Sequence, residues 1–255
     1  MMRNISLITI VLIFSASLSW SVNYPIYTQP KFHEFYEKLE RQGFYPEGQS
    51  LDELDLIINR LEANITQEAP TALEYKKMGV YYHAKAVQKN GKLSDANQAE
   101  KYFTRALDLL VVQNQEEAAL YNNLRGWQGG VLALKPKFGL SIFETIQLSN
   151  QGTSLLDRAV FNDPKDLELR FLRANTYVYF PKFLGKMKTV IGDLEYLSAY
   201  FNAYYQEKSD AIMKVYALFC YAYKNEGDKE KMNLFRQKVL TLAPRSVFAQ
   251  KVKEL

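Results

Sequence analysis

The stretch that decides the fold spans residues 216–244 and reads YALFCYAYKNEGDKEKMNLFRQKVLTLAP. In its first half, side chains recur at the spacing of one α-helix face: Tyr216, Phe219, Cys220 and Tyr223. Gly227 breaks that helix, after which Met232 and Val239 continue the same spacing in a second one. Pro244 ends the second helix. The stretch therefore predicts two antiparallel helices joined by a tight turn.

Outward from this stretch, helical spacing continues through almost the whole chain from about residue 72. No segment shows the alternation of apolar and polar residues that is typical of a half-buried strand. Upstream, Ser50 and Glu53 have the spacing of a capping box, which predicts a helix over about 50–65. Residues 31–42 are predicted to form another short helix. We therefore expect an all-α fold.

Three earlier segments show the same two-helix pattern less regularly. They run from Tyr75 to Ala106, from Tyr121 to Pro164, and from Ala174 to Leu197. In the first of them, residues 88–95 are predicted to be an insertion between the two helices. Small residues such as Gly79 and Gly152 let two antiparallel helices approach closely, and large residues fill the space between neighbouring units.

Together these residues resemble the tetratricopeptide repeat family over about 72–244. Cys220 occupies the small-residue position of the family pattern, whereas Arg236 stands where a large apolar residue is usual. The resemblance implies antiparallel helix pairs stacked as a right-handed superhelix, an α-solenoid that binds peptides or protein segments. The predicted organisation is a signal peptide over 1–21, an N-terminal extension with helices over 22–66, and a repeat domain over 67–255.

The resemblance also implies a concave face lined by the first helix of each unit. Carried over position by position, the groove-facing candidates are Lys76, His83, Phe171, Asn175, Tyr179, Tyr221, Lys224 and Asn225. This mixture of amine, amide and aromatic groups suits an extended peptide or a polar ligand. Val80 stands where the carboxylate-gripping version of the groove carries an Asn, so we do not expect that version here.

Two similar loops lie between the paired helices. Pro136-Lys137-Phe138-Gly139 is echoed by Pro181-Lys182-Phe183-Leu184-Gly185. On one edge of the fold, Lys137, Phe138, Lys182 and Phe183 would form a basic, aromatic rim. The alternative is that each Phe fills a gap between helices, while Pro and Gly stop the helix.

The first residues predict export. Arg3 gives a short positive start, and an apolar core follows over residues 5–14. Ser19 and Ser21 are the small residues for cleavage after Ser21, and cleavage after Ser17 is the alternative. An uncleaved anchor also stays open, although the apolar stretch is shorter than the roughly 20 residues that a span needs. We expect a periplasmic or secreted protein with no membrane span after cleavage.

The composition offers little material for catalysis or metal binding. Cys220 is the only cysteine, and His33 and His83 are the only histidines. Motifs of Ser nucleophiles, phosphate loops, dinucleotide sites and zinc proteases do not occur. A net charge of +4 without runs of like charge does not favour nucleic-acid binding. We expect no metal, no cofactor and no enzymatic activity.

The repeat and the export signal together predict an extracytoplasmic scaffold or adaptor that binds a protein or peptide through its concave face. The alternative is an accessory protein of a membrane transporter that binds a small ligand or lipid, since 18 Tyr and 15 Phe could line an aromatic pocket. An enzyme built from ordinary surface residues is a third possibility. The sequence leaves the identity of the partner and the oligomeric state open.

Overall fold

The structure is a computed structural model that describes residues 50–67, 69–204 and 210–255. All regular secondary structure within these ranges is helical, which confirms the predicted all-α class for them. The predicted signal peptide over 1–21 and the predicted helix over 31–42 lie outside the described residues.

The described residues form ten α-helices and two short 3-10 helices. The α-helices are α1 (Leu51–Gln67), α2 (Ala72–Val87), α3 (Leu93–Leu109), α4 (Gln115–Leu134), α5 (Ile142–Asn162), α6 (Leu167–Tyr177), α7 (Met187–Tyr204), α8 (Asp210–Glu226), α9 (Lys229–Leu242) and α10 (Val247–Lys253). The 3-10 helices, Lys135–Phe138 and Lys182–Leu184, lie in the two Pro-Lys-Phe loops.

Side-chain caps set where several helices begin. At α1 the capping box predicted from the sequence is confirmed: the backbone N–H of Glu53 donates to Ser50 Oγ at 3.2 Å, and the N–H of Ser50 donates to Glu53 Oε2 at 2.7 Å. The same reciprocal arrangement starts α2, α4 and α5. Each box satisfies backbone donors that the first turn of a helix leaves unpaired.

Consecutive helices form four antiparallel pairs: α2 with α3, α4 with α5, α6 with α7, and α8 with α9. In the last pair, which comes from the stretch 216–244, the rings of Phe219 and Phe235 stack with centroids 4.2 Å apart. Gly227 makes the turn at a φ of 83°, a left-handed conformation that favours glycine. The two helices and the turn predicted for this stretch are therefore confirmed.

Glycines mark the points where paired helices approach most closely. A Cβ on Gly152 of α5 would lie 2.5 Å from the backbone nitrogen of Ala133 and 2.6 Å from the carbonyl oxygen of Gly129, both in α4. A Cβ on Gly79 of α2 would lie 2.6 Å from the ring of Phe103 in α3. Both glycines stand at positions where the sequence predicts a small residue for this reason.

The insertion predicted over 88–95 is shorter in the structure. The connection between α2 and α3 covers residues 88–92, and α3 begins at Leu93. The backbone N–H of Lys92 donates to Asp95 Oδ2 at 2.9 Å, so Asp95 belongs to the first turn of α3. A capping interaction that the pattern of apolar residues does not reveal therefore extends this helix toward the turn.

The core continues from one pair to the next. Most buried apolar residues belong to one cluster, to which α2 through α10 all contribute. A smaller cluster, with Ile58 of α1, Met78 and Tyr102, attaches the first helix to the first pair. None of the described helices has the length and apolar character that a bilayer span requires.

Candidate binding site

The first helices of the four pairs bring polar and aromatic side chains into contact in the interior of the protein. We call this set the inner cluster; all its members are nearly fully buried. It consists of Lys76 and His83 of α2, Asn123 and Trp127 of α4, Asp166, Glu168 and Phe171 at or in α6, and Lys214 of α8. Charged groups are rarely buried unless they are paired, so this composition is unusual for an interior.

Glu168 connects three of the four first helices. Its Oε2 accepts hydrogen bonds from Lys76 Nζ at 2.8 Å and from Asn123 Nδ2 at 3.0 Å. Its Oε1 accepts one from Trp127 Nε1 at 2.6 Å. An ionised carboxylate is an acceptor only, and three donors converge on it here, one of them a positive charge.

Asp166 forms the N-terminal cap of α6 beside Glu168. Its Oδ1 accepts from the backbone N–H of Leu169 and its Oδ2 accepts from Asn123 Nδ2, both at 3.0 Å. Burial raises the pKa of Asp166 to about 7, and the negative charge of Glu168 contributes to the same shift. The Asn123 Nδ2 group thus serves both carboxylates, while Asn123 Oδ1 is buried and accepts no hydrogen bond from the described residues.

His83 and Lys214 form the other side of the inner cluster. The His83 ring meets Trp127 edge to face, with centroids 5.3 Å apart. Burial lowers the pKa of His83 to about 3, and the charges of Lys214 and Lys137 act in the same direction. His83 is therefore neutral at physiological pH. Lys214 Nζ lies 4.1 Å from the centre of the Phe171 ring, within the range of a cation–π contact.

The eight groove candidates divide into two groups of four. Lys76, His83, Phe171 and Asn175 are nearly fully buried, and the first three belong to the inner cluster. The other four are partly or fully exposed; we call them the rim residues: Tyr179, Tyr221, Lys224 and Asn225. The buried members of the predicted face thus lie on α2 and α6, and the accessible members lie just after α6 and on α8.

Three of the rim residues make direct contacts between α8 and the end of α6. The rings of Tyr179 and Tyr221 meet at a centroid distance of 5.7 Å and an interplanar angle of 60°. Asn225 Nδ2 donates to the carbonyl oxygen of Val178 at 2.7 Å, which ties the end of α8 to the end of α6. The rim is therefore a junction between the third and fourth pairs.

The two Pro-Lys-Phe loops differ in their contacts. Lys137 Nζ donates to the carbonyl oxygens of Ala86, Val87 and Gln88 at 3.0, 2.7 and 2.6 Å. This amine therefore caps the C-terminal end of α2, where a positive charge is favourable. Phe138 is partly buried against the core, which agrees with the gap-filling alternative. In the second loop, Lys182 and Phe183 are both exposed.

Several members of the inner cluster were not singled out from the sequence, although a signal for two of them existed. Glu168 lies three residues before Phe171 and seven before Asn175, on the helix face already predicted to line the groove. Lys214 lies seven residues before Tyr221, which is two helical turns, and therefore on the same face of its helix. Extending each predicted stripe by one or two turns would have found both. Asn123 belongs to the unit whose first helix showed the weakest repeat pattern.

Within the described ranges, no three His, Cys, Asp or Glu side chains stand close enough to hold a metal ion. Cys220 is buried, and this burial raises the pKa of its thiol to about 12. Comparison of the chain with protein-family models finds no match, and comparisons with curated proteins and with solved structures find none either. The function therefore has to be inferred from the residues described above.

Proposed function

We propose that this protein is an exported, non-catalytic binding protein of the tetratricopeptide kind, which holds a polypeptide segment against its first helices. One observation carries the proposal. On α6 with the turn that follows it, and on α8, polar and aromatic side chains at helical spacing lead from the buried inner cluster to the exposed rim. The stripe that starts on α6 consists of Glu168, Phe171, Asn175 and, just beyond the helix, Tyr179; the stripe on α8 consists of Lys214, Tyr221 and Asn225.

The dimensions of these stripes suit a short extended peptide. Phe171 and Tyr179 are eight positions apart, with Tyr179 two residues beyond the end of α6; at a rise close to 1.5 Å per residue they are separated by roughly 12 Å along the helix axis. An extended chain of about four residues covers the same distance. The side chains along these stripes can bind a peptide backbone. The Asn amides both donate and accept hydrogen bonds, and each tyrosine combines an apolar ring with a polar hydroxyl group.

The chemistry of the inner cluster supports a role beyond folding. Replacing a buried ion pair by apolar residues of similar volume is often neutral or stabilising, so stability alone does not require Lys76 and Glu168 in this interior. The buried acceptor Asn123 Oδ1 adds a polar group that a ligand N–H could satisfy. We infer that the inner cluster receives the end or a side chain of the bound segment, whose remainder crosses the rim.

The arrangement of the helices supports the family expectation. The four antiparallel pairs follow one another along the chain, and α4 contacts both its partner α5 and the next first helix, α6. Repeat proteins that stack helix pairs this way form extended concave surfaces lined by their first helices. Export rests on the positive, apolar and small-residue segments within 1–21.

Photo-crosslinking from the rim tests the proposal. A photoreactive phenylalanine analogue replaces Tyr179, and the protein is irradiated with a library of unstructured peptides. A matched variant carries the same group at Leu234, an exposed residue of α9, the second helix of its pair. We expect crosslinked peptides at position 179 and none above background at position 234. Equal labelling at the two positions would rule out a binding face on the first helices.

A second candidate, a compact ligand such as a solute delivered to a membrane transporter, is favoured by one observation. Lys76, His83, Asn175 and Lys214 bring polar groups together within an apolar interior, and a few convergent polar groups among apolar side chains are typical of small-molecule sites. Native mass spectrometry of the exported protein distinguishes the two. A bound mass of a few hundred daltons that Lys214→Met abolishes would favour the compact ligand, and a protein without such a mass would favour the peptide.

A further inference from the structure

Two of the helix-pair tips project apolar side chains into solvent. The tip between α4 and α5, residues 135–146, carries Ile142 at 82% and Phe143 at 77% exposure. The tip between α6 and α7, residues 181–188, carries Phe183 at 85% exposure. Single exposed apolar residues are common on proteins, but a grouping of large ones on projecting tips marks an interaction site.

Both tips lie at the same edge of the protein. A Cβ on Gly126 of α4 would lie 2.2 Å from the side chain of Leu169, and one on Gly130 would lie 3.1 Å from that of Leu172. The contacts advance in the same direction along α4 and α6, so these two first helices run parallel. Their C-terminal ends, and the tips that follow them, therefore point the same way.

The exposed charge on these tips is positive. Residues 135–146 and 181–188 together contain five lysines and one glutamate. Lys135 pairs with Glu100, Lys186 pairs with Asp157, and Lys137 caps the end of α2. Lys182 and Lys188 are exposed on the same tip as the projecting Phe183. The edge thus combines exposed aromatic and aliphatic side chains with two exposed lysines.

We propose that this edge docks on the surface of an anionic lipid bilayer. Two separate projecting tips on one edge can touch a flat surface at the same time. Phe143, Ile142 and Phe183 would enter the boundary between headgroups and acyl chains, where aromatic and apolar side chains bind peripherally. Lys182 and Lys188 would lie at the level of the phosphates and attract anionic headgroups. The binding face on the first helices would then be held close to the membrane.

Vesicle co-sedimentation tests this docking, with the exported full-length chain and two vesicle compositions: phosphatidylcholine with 30% phosphatidylglycerol, and phosphatidylcholine alone. We expect binding to the anionic vesicles and much weaker binding to the neutral ones. Phe143→Ser together with Phe183→Ser should weaken binding by at least about tenfold, since two buried rings are lost. Lys182→Glu together with Lys188→Glu should weaken binding to the anionic vesicles alone, by about tenfold or more.

Phe161→Ser is the matched control. Phe161 is 83% exposed on α5, the same helix as Phe143, but it lies near the opposite end. All variants share residues 1–49, so a difference between them does not arise from that segment. Far-UV circular dichroism checks their folding, and crosslinking at position 179 reports the peptide face separately.

Three outcomes would overturn the docking. The first is that wild-type protein does not sediment with anionic vesicles. The second is that Phe161→Ser loses as much binding as the tip variant, and the third is that the tip variant loses none. If the wild-type protein does not sediment, a polypeptide crosslinked by a photoreactive group at position 183 would identify the edge as a protein interface. Peptide crosslinking at position 179 can succeed or fail independently of all these outcomes.

Discussion

Replacing Glu168 by Gln should destabilise the protein strongly, because Glu168 is the carboxylate partner of the buried Lys76. Glu168→Gln keeps the volume of the side chain but only one of the two oxygens, so it can accept from Trp127 Nε1 or from Asn123 Nδ2 but not from both. It removes the negative charge 2.8 Å from Lys76 Nζ. The buried ammonium of Lys76 then loses the carboxylate that offsets its desolvation.

The size of the effect follows from the burial of this pair. Two unit charges at the 2.8 Å separation of Lys76 and Glu168 attract by roughly 6 kcal/mol at an effective dielectric constant of about 20. Desolvation offsets part of this attraction, and removing one partner of a buried pair typically costs about 3–5 kcal/mol. We therefore expect Glu168→Gln to lower the free energy of unfolding by about 3–5 kcal/mol, and Lys76→Met to do the same. The double variant should cost less than the sum of the two by about 1–3 kcal/mol.

Urea unfolding followed by circular dichroism at 222 nm measures these free energies for the wild type, the two single variants and the double variant. Lys85→Met is the control on the same helix, because Lys85 is more exposed than Lys76 and its nearest carboxylate, on Asp55, is partly exposed, while Asp95 lies farther away at 3.5 Å. Its expected loss is about 1 kcal/mol or less. If Glu168→Gln lowers the free energy of unfolding by less than about 1 kcal/mol, Lys76 and Glu168 are not a coupled buried pair. The same conclusion follows if the losses of the two single variants simply add in the double variant.

Three further predictions follow from single groups. Asp166→Asn keeps the cap of α6 but removes a carboxyl whose pKa is raised to about 7 in the folded state. The free energy of unfolding of the wild type should therefore fall relative to that of the variant as pH rises from about 4 to 7. A difference in urea unfolding that does not change with pH would contradict this. Lys137→Met should lower the free energy of unfolding by about 1–2 kcal/mol, because three carbonyl groups lose their charged donor, whereas Lys182→Met should change it by less than about 0.5 kcal/mol. Equal effects of these two changes would argue against the cap. The thiol of Cys220 should react with iodoacetamide only after unfolding in urea, because it is buried and its pKa is raised. Mass spectrometry measures the labelling, and a labelled folded chain would contradict this prediction.

Local patterns in the sequence were sufficient to predict the helices and the final pair. The capping box of Ser50 and Glu53, the turn at Gly227 and the apolar spacing of 216–244 all have the predicted structures. Each of these features links residues that are close in sequence, so the information is present in a short window. The sequence placed the beginning of α3 too late in the chain. The cap of this helix is a hydrogen bond from the backbone N–H of Lys92 to Asp95, and neither residue contributes to the pattern of apolar side chains.

The inner cluster could not be predicted in the same way, because its contacts join distant parts of the chain. Lys76 and Glu168 are 92 positions apart, and Asn123 and Glu168 are 45 apart. The resemblance to the repeat pattern assigned Lys76 and Asn175 to one predicted face. It did not determine whether a neighbouring helix covers that face, and burial decides whether a lysine is solvated or needs a carboxylate.

The two Pro-Lys-Phe loops separate what the sequence determined from what the tertiary structure decided. The sequence alone determined a helix stop at each loop, because Pro restricts φ and both Gly139 and Gly185 adopt a positive φ at the end of a 3-10 turn. Only the packing of the pairs decided that Lys137 meets the open carbonyl end of α2 while Phe183 meets solvent. Identical tripeptides differ in this way because the backbone preference is local, whereas the partner of a side chain depends on which helix end lies beside it.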